Sequence, residues 1–127
     1  MDKLTPKQLS GIGEDLAANY LISKGYNVLC KNFRSECGEI DLIVRRDDLL
    51  IFVEVKTRSK HSINLALMNV GYQKQKRISL TAQRYITQNQ EFVNFSFRFD
   101  VVVVLYYAAE QNFRVLHYED AFRPVDI

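Results

Sequence analysis

The stretch Phe52-Val53-Glu54-Val55-Lys56 sets an acid and an amine two residues apart inside an apolar, β-branched run. Side chains alternate across a strand, so Glu54 and Lys56 share one face while Val53 and Val55 share the other. Ionised groups in such a strand are costly to desolvate, on the order of several kcal/mol each, and they persist when paired or when holding a cation. A second acid, Asp41, interrupts a second apolar run, Ile40-Asp41-Leu42-Ile43-Val44. The short polar turn at 45–48 makes the two runs a hairpin across which Asp41 and Glu54 can meet. Two carboxylates converging from adjacent strands are hard oxygen ligands suited to Mg²⁺, with Mn²⁺ as a substitute, and a phosphate can complete the shell. Lys56 beside them can orient or activate an attacking water, or stabilise charge that develops on phosphorus. These groups together could hydrolyse a phosphodiester. The competing reading is a buried Asp–Lys–Glu ion-pair cluster, the better account of an arbitrary E-x-K in a strand. Asp41, in a hydrophobic strand of its own, moves the balance towards chemistry.

The elements that must position these residues are legible from periodicity. Over residues 6–24, Leu9, Ile12, Leu16, Ala17, Tyr20 and Leu21 recur at three- and four-residue spacing, which predicts an amphipathic helix stopped by Gly25. Residues 26–33 and 38–44 read as strands, and 49–55 as a strand covered on both faces. Residues 65–88 turn helical, with Gly71 either an interruption or the true start. Residues 95–107 are strongly β, and 113–117 form one more strand. The order is helix, three strands, helix, two strands: an α/β domain over residues 1–127, with a mixed central sheet flanked by helices.

Composition sets outer limits. The chain has 127 residues, 47% of them apolar and 25% charged, as expected for one domain with one core. Two prolines and five glycines leave little room for linkers. The basic residues near the start are followed by no apolar run, so neither an export signal nor a membrane anchor is expected, and the expected location is cytoplasmic. Cys30 and Cys37 then read as free thiols. Seventeen Lys and Arg against fifteen Asp and Glu give a net charge of +2, so any contact with nucleic-acid phosphate must come from local clusters. The candidates include 56–60, with Arg58, and the set Lys74, Lys76 and Arg77. Taken singly, each is better explained by a solvated surface.

At this point a resemblance enters. Asp41 followed one hairpin later by Glu54-Val55-Lys56 resembles the PD-(D/E)xK motif of restriction-endonuclease-like nucleases. More narrowly, Gly13-Glu14-Asp15-Leu16-Ala17, Gly38-Glu39-Ile40-Asp41-Leu42-Ile43, Phe52-Val53-Glu54-Val55-Lys56-Thr57-Arg58 and Arg98-Phe99-Asp100-Val101-Val102 resemble the uncharacterised bacterial YraN-type family, and His117 with Ala121-Phe122 resembles its closing segment. The resemblance implies a restriction-endonuclease-like α-β-β-β-α-β core, similar to archaeal Holliday-junction resolvases. It implies Asp41, Glu54 and Lys56 as catalytic residues, Glu14 as a further acid of the metal site, and Lys74 as a basic residue near phosphate. Two departures are visible: Ile40 stands where the motif has proline, and the loop His61-Ser62-Ile63-Asn64 lacks an expected glycine.

The function these residues imply is that of a Mg²⁺-dependent endonuclease acting on DNA, with branched or junction DNA as a candidate substrate and a two-fold dimer as the natural way to cut two strands. The alternative is a catalytically silent nucleic-acid-binding accessory module that keeps the nuclease fold. The intact set of two acids and a lysine favours the enzyme. Glu39 could support the site or pair with Arg34 or Arg45. Asp100 is better explained by a salt bridge with Arg98 or a strand-end hydrogen bond than by catalysis. His61 and His117 lack ligand-spaced mates and read as structural.

Overall fold

The computed structural model describes residues 4–59 and 69–125. The first helix, α1 (Pro6–Ser23), starts at a capping box in which the Thr5 side chain accepts from the Gln8 backbone and the Gln8 side chain accepts from the Thr5 backbone, with Pro6 at the first helical position. Gly25, at φ +94°, ends it in a conformation that side-chain-bearing residues rarely adopt. Three strands follow, β1 (Asn27–Ser35), β2 (Gly38–Arg46) and β3 (Leu49–Ser59). The second helix, α2 (Tyr72–Gln88), begins after Gly71, which therefore marks a start and not an interruption. The part of the expected helix at 65–68 lies outside the described residues, as do His61 and the loop at 61–64. After α2 come β4 (Ser96–Tyr107) and β5 (Asn112–Phe122).

The five strands lie in chain order in one sheet. β1, β2 and β3 pair antiparallel, β3 and β4 pair parallel across the α2 crossover, and β4 and β5 close the sheet antiparallel. The mixed sheet flanked by helices is thus present, as is the α-β-β-β-α-β order, with β5 added at the edge. Each face of the sheet carries its own core. Ala17, Ala18 and Leu21 of α1 pack on Leu42, Val44, Ile51, Val53, Val102 and Val104. Ile78, Ala82 and Tyr85 of α2 pack on Ile43, Leu50, Phe52, Phe99, Val101 and Val103. Leu50 to Val53 are all essentially inaccessible, which is why this run lacks polar alternation.

The strands run further than periodicity suggests. β3 continues to Ser59 because parallel pairing with β4 carries the polar residues 56–59 along the ladder to Tyr106. β5 continues to Phe122, past an irregularity opposite Phe99 and Val101, because its partner strand supplies the hydrogen bonds that its own polar residues cannot advertise. No helix among the described residues is long and apolar enough to cross a membrane.

Candidate functional site

The β2–β3 ladder ends at Leu42 opposite Val53, one position short of Asp41 and Glu54. There the Asp41 carboxylate takes over from the backbone, its Oδ2 accepting from the Val55 N–H at 2.8 Å. Glu54, 7% exposed, faces it from β3. The two carboxyl groups adjoin, and such a pair needs a shared proton or a cation between them. Burial and the adjoining Glu54 push Asp41 up to about 8, against the weaker downward pull of the Val55 N–H, and the charge of Glu14 adds a further upward push. Glu54 Oε2 accepts no hydrogen bond of proper geometry. It is balanced instead by an ion pair with the Lys74 ammonium, which arrives from the first turn of α2.

Glu14 is brought near by the helix in front of it. At Gly13, α1 approaches β3 so closely that an added Cβ would fall inside the Thr57 side chain, so only glycine permits this spacing. Gly38 plays the matching part for α2: its φ is +150°, and a Cβ there would crowd Thr81 Oγ1 and the Cβ of Arg77. These two contacts fix both helices against the strand ends that carry the acids. Among the described residues no three His, Cys, Asp or Glu side chains converge as a ligand group, so the pair Asp41 and Glu54 is the geometric centre and Glu14 bears on it through charge.

Lys56 lies on the Glu54 face of β3, as alternation requires, but its ammonium donates to the Asn69 carbonyl at the approach to α2. Burial lowers its pKa, as do the nearby Arg58 and Lys74, while Glu54 raises it. Arg58 is exposed and donates from Nη1 to the Thr57 carbonyl at 2.8 Å. Arg77 is exposed on α2 beside Gly38. Lys56, Arg58, Lys74 and Arg77 thus form a basic margin on the same end of the sheet as the acids. Glu39 turns away to Arg34 at 3.8 Å.

Sequence reasoning missed Thr57 and Gly13, whose importance is a close approach between two elements and leaves no local signal. It also understated Asp100. That residue, 1% exposed, accepts from Arg98 at 2.7 and 2.8 Å, from the Asp120 N–H at 2.9 Å, and lies 2.8 Å from His117 Nε2. The ion pair with Arg98 expected from the sequence is there, within a larger network. Burial alone would raise this carboxyl, but the His117, Arg98 and Asp120 bonds hold it below its ordinary value.

Known proteins match over most of the chain. Residues 13–104 fit the model of a family described as "Uncharacterised protein family UPF0102". A UPF0102 protein of Alkaliphilus oremlandii is 39% identical over 117 residues, 91% of this chain and 98% of its own length. One from Clostridium beijerinckii is 38% identical over 92% of this chain and 94% of its own. The protein TTE1452 of Caldanaerobacter subterraneus subsp. tengcongensis is 41% identical over 82% of this chain and 84% of its own. The YraN-type resemblance carried by the motifs is supported by these matches, and the chain belongs to the uncharacterised family UPF0102.

Proposed function

We propose that this protein is a metal-dependent, restriction-endonuclease-like phosphodiesterase that cleaves DNA, with Asp41 and Glu54 holding Mg²⁺. The observation that carries this reading is the buried Asp41–Glu54 carboxyl pair, in which Asp41 is pushed up to about 8. Two adjoining carboxyl groups, with Glu54 Oε2 balanced by the Lys74 ammonium but accepting no hydrogen bond of proper geometry, offer hard oxygens suited to a divalent cation. Glu14 adds negative charge to the same locus, where Mg²⁺ keeps much of its water.

A bound Mg²⁺ would polarise a phosphoryl oxygen and lower the pKa of a coordinated water. The chain's own residues do the rest. The Val55 N–H orients the Asp41 carboxylate. Lys56, its proton loosened by burial, stands where it can hold the attacking water or donate to an oxygen on which charge gathers. Lys74, paired with Glu54, stands on the same margin as Arg58 and Arg77, where its ammonium could also meet phosphate. Branched or junction DNA is the substrate form that the motif resemblance favours, and a cytoplasmic two-fold dimer the form that would cut both strands. The second reading, a silent nucleic-acid-binding module, keeps the basic margin without turnover.

The test is purified protein against labelled linear, flapped and four-way DNA with Mg²⁺, Mn²⁺ or chelator, beside calorimetry with Mn²⁺. Wild type should take up Mn²⁺ and cleave at least one substrate; Asp41→Asn/Glu54→Gln should do neither. Equal Mn²⁺ uptake by both proteins would sink the metal assignment, and DNA binding without cleavage in any metal would favour the silent module.

A further inference from the structure

A second polar concavity lies at the other end of the sheet. Tyr20, Lys24, Tyr26, Arg46, His117 and Glu119 line an open cleft of about 250 Å³. Arg46 is five residues beyond Asp41 on β2, roughly 17 Å away at ~3.4 Å per residue, so this cleft shares nothing with the carboxylate pair. Its cations are held in place by aromatic rings. The Lys24 ammonium sits 5.7 Å from the Tyr20 ring centre, and the Arg46 guanidinium 4.3 Å from that of Tyr26. Arg46 Nη1 also donates to the Lys24 carbonyl at 3.3 Å, which ties the two residues together. Among the described residues neither cation has a carboxylate partner. The one acid in the lining, Glu119, is engaged by Arg98 Nη1 at 3.0 Å.

The floor of the cleft is His117, whose side chain is only 8% exposed. Its ring meets Tyr20 and Tyr26 edge-on, and its Nε2 is fixed by the buried Asp100. Two positioned cations over a histidine that a carboxylate holds from behind form a receptor for an oxyanion of more than one charge.

We propose that this cleft binds a phosphate monoester. Such a group carries about −1.5 to −2 charge at neutral pH and three terminal oxygens, matching the several N–H donors of Lys24 and Arg46. The volume of this open cleft falls below the ~300–1,000 Å³ of ordinary ligand pockets, so it holds the phosphate and leaves what is attached to it at the mouth. The two sources of this chemistry are a free nucleoside monophosphate and the phosphorylated end of a nucleic-acid strand. The proposal does not depend on metal-dependent cleavage.

The experiment is amide NMR on the whole chain with chelator present, so that no metal links phosphate to the distant carboxylates. Inorganic phosphate and adenosine 5′-monophosphate should move the resonances of Tyr26, Arg46 and His117, and adenosine should not. The variant Lys24→Gln/Arg46→Gln, altered only at exposed positions, should bind roughly tenfold or more weakly, as expected for lost charge-assisted contacts. A 5′-phosphorylated oligonucleotide compared with its 5′-hydroxyl counterpart separates the sources: shifts from the phosphorylated strand alone support a strand end, and shifts from the small phosphates alone support a free nucleotide. Absence of cleft shifts with both small phosphates and the phosphorylated strand at millimolar concentration, or unchanged affinity in Lys24→Gln/Arg46→Gln, would overturn the proposal.

Discussion

Asp41 and Asp100 are both aspartates set into apolar strands of one sheet, and they differ in what faces the carboxylate. Around Asp100 the fold supplies a full complement of donors: a two-pronged Arg98, His117 and the Asp120 N–H. Asp120 reaches it by adopting φ +53° in the irregular part of β5. The charge is neutralised and the carboxyl held low. Beside Asp41 the fold sets another carboxylate, Glu54, and burial together with that neighbour drives the group up. The first arrangement is how a protein stores a buried charge; the second stores a conflict that something else must relieve. Local conflict of this kind, inside an otherwise consistent core, is what the proposed metal ion would relieve.

The contrast should show most strongly in stability. Asp100→Ala leaves Arg98 and His117 without their anion and should cost about 3–5 kcal/mol. Asp41→Ala removes one of two opposed carboxylates and should be close to neutral in the absence of metal. Thermal melts in chelator measure both, and equal losses would erase the distinction between the two ends.

Next in size is a rate. Lys56→Ala should keep the fold and bind metal as well as wild type or better, since a neighbouring cation repels it. Cleavage should fall by roughly two to three orders of magnitude, as for loss of one transition-state donor. If instead the variant lost about 3–5 kcal/mol of stability that Mg²⁺ could not restore, and wild type cleaved nothing, Lys56 would be a structural counter-charge like Arg98.

The pH dependence sharpens the same comparison. Asp41 is raised from its model-compound value of 3.8 to about 8, so between those values the folded state holds a proton that the unfolded state has released. Stability should therefore be fully present below about pH 4 as far as this group is concerned, and should fall as pH rises through about 8. Asp100, being lowered, contributes in the opposite sense: its share is present above the ordinary carboxylate range and is lost in acid. Melting curves across pH should show the loss on raising pH from about 4 to about 8 diminished by Asp41→Asn and by Mg²⁺, which takes the place of the proton. A loss that neither change affects would remove Asp41 as its source.

The smallest effect concerns the basic margin. Lys74→Ala/Arg77→Ala should weaken DNA binding uniformly across sequences and make the salt dependence shallower by about one to two in slope, one for each phosphate contact removed. Filter binding at several salt concentrations measures it. An unchanged slope would take α2 out of the phosphate-facing surface.

Much of this protein was written in its linear pattern. Period 3.6 marked α1 and most of α2, unbroken apolar runs marked the buried strands, and acids interrupting those runs marked Asp41, Glu54 and Asp100, because burial imposes its cost on each charged residue wherever it stands. Alternation alone put Glu54 and Lys56 on one face. What pattern could not carry was the partner of each charge. That Glu54 meets Lys74 while Lys56 turns to Asn69, that Glu14 arrives through the glycine-sized gap at Thr57, and that His117 of β5 stands behind a cleft built from the end of α1 all depend on distances between elements far apart in sequence. A residue's type and its neighbours fix whether it is buried and on which face; only the packing of α1, α2 and β5 on the sheet decides whether a buried carboxylate meets an arginine or another acid, and so whether it is stored or poised.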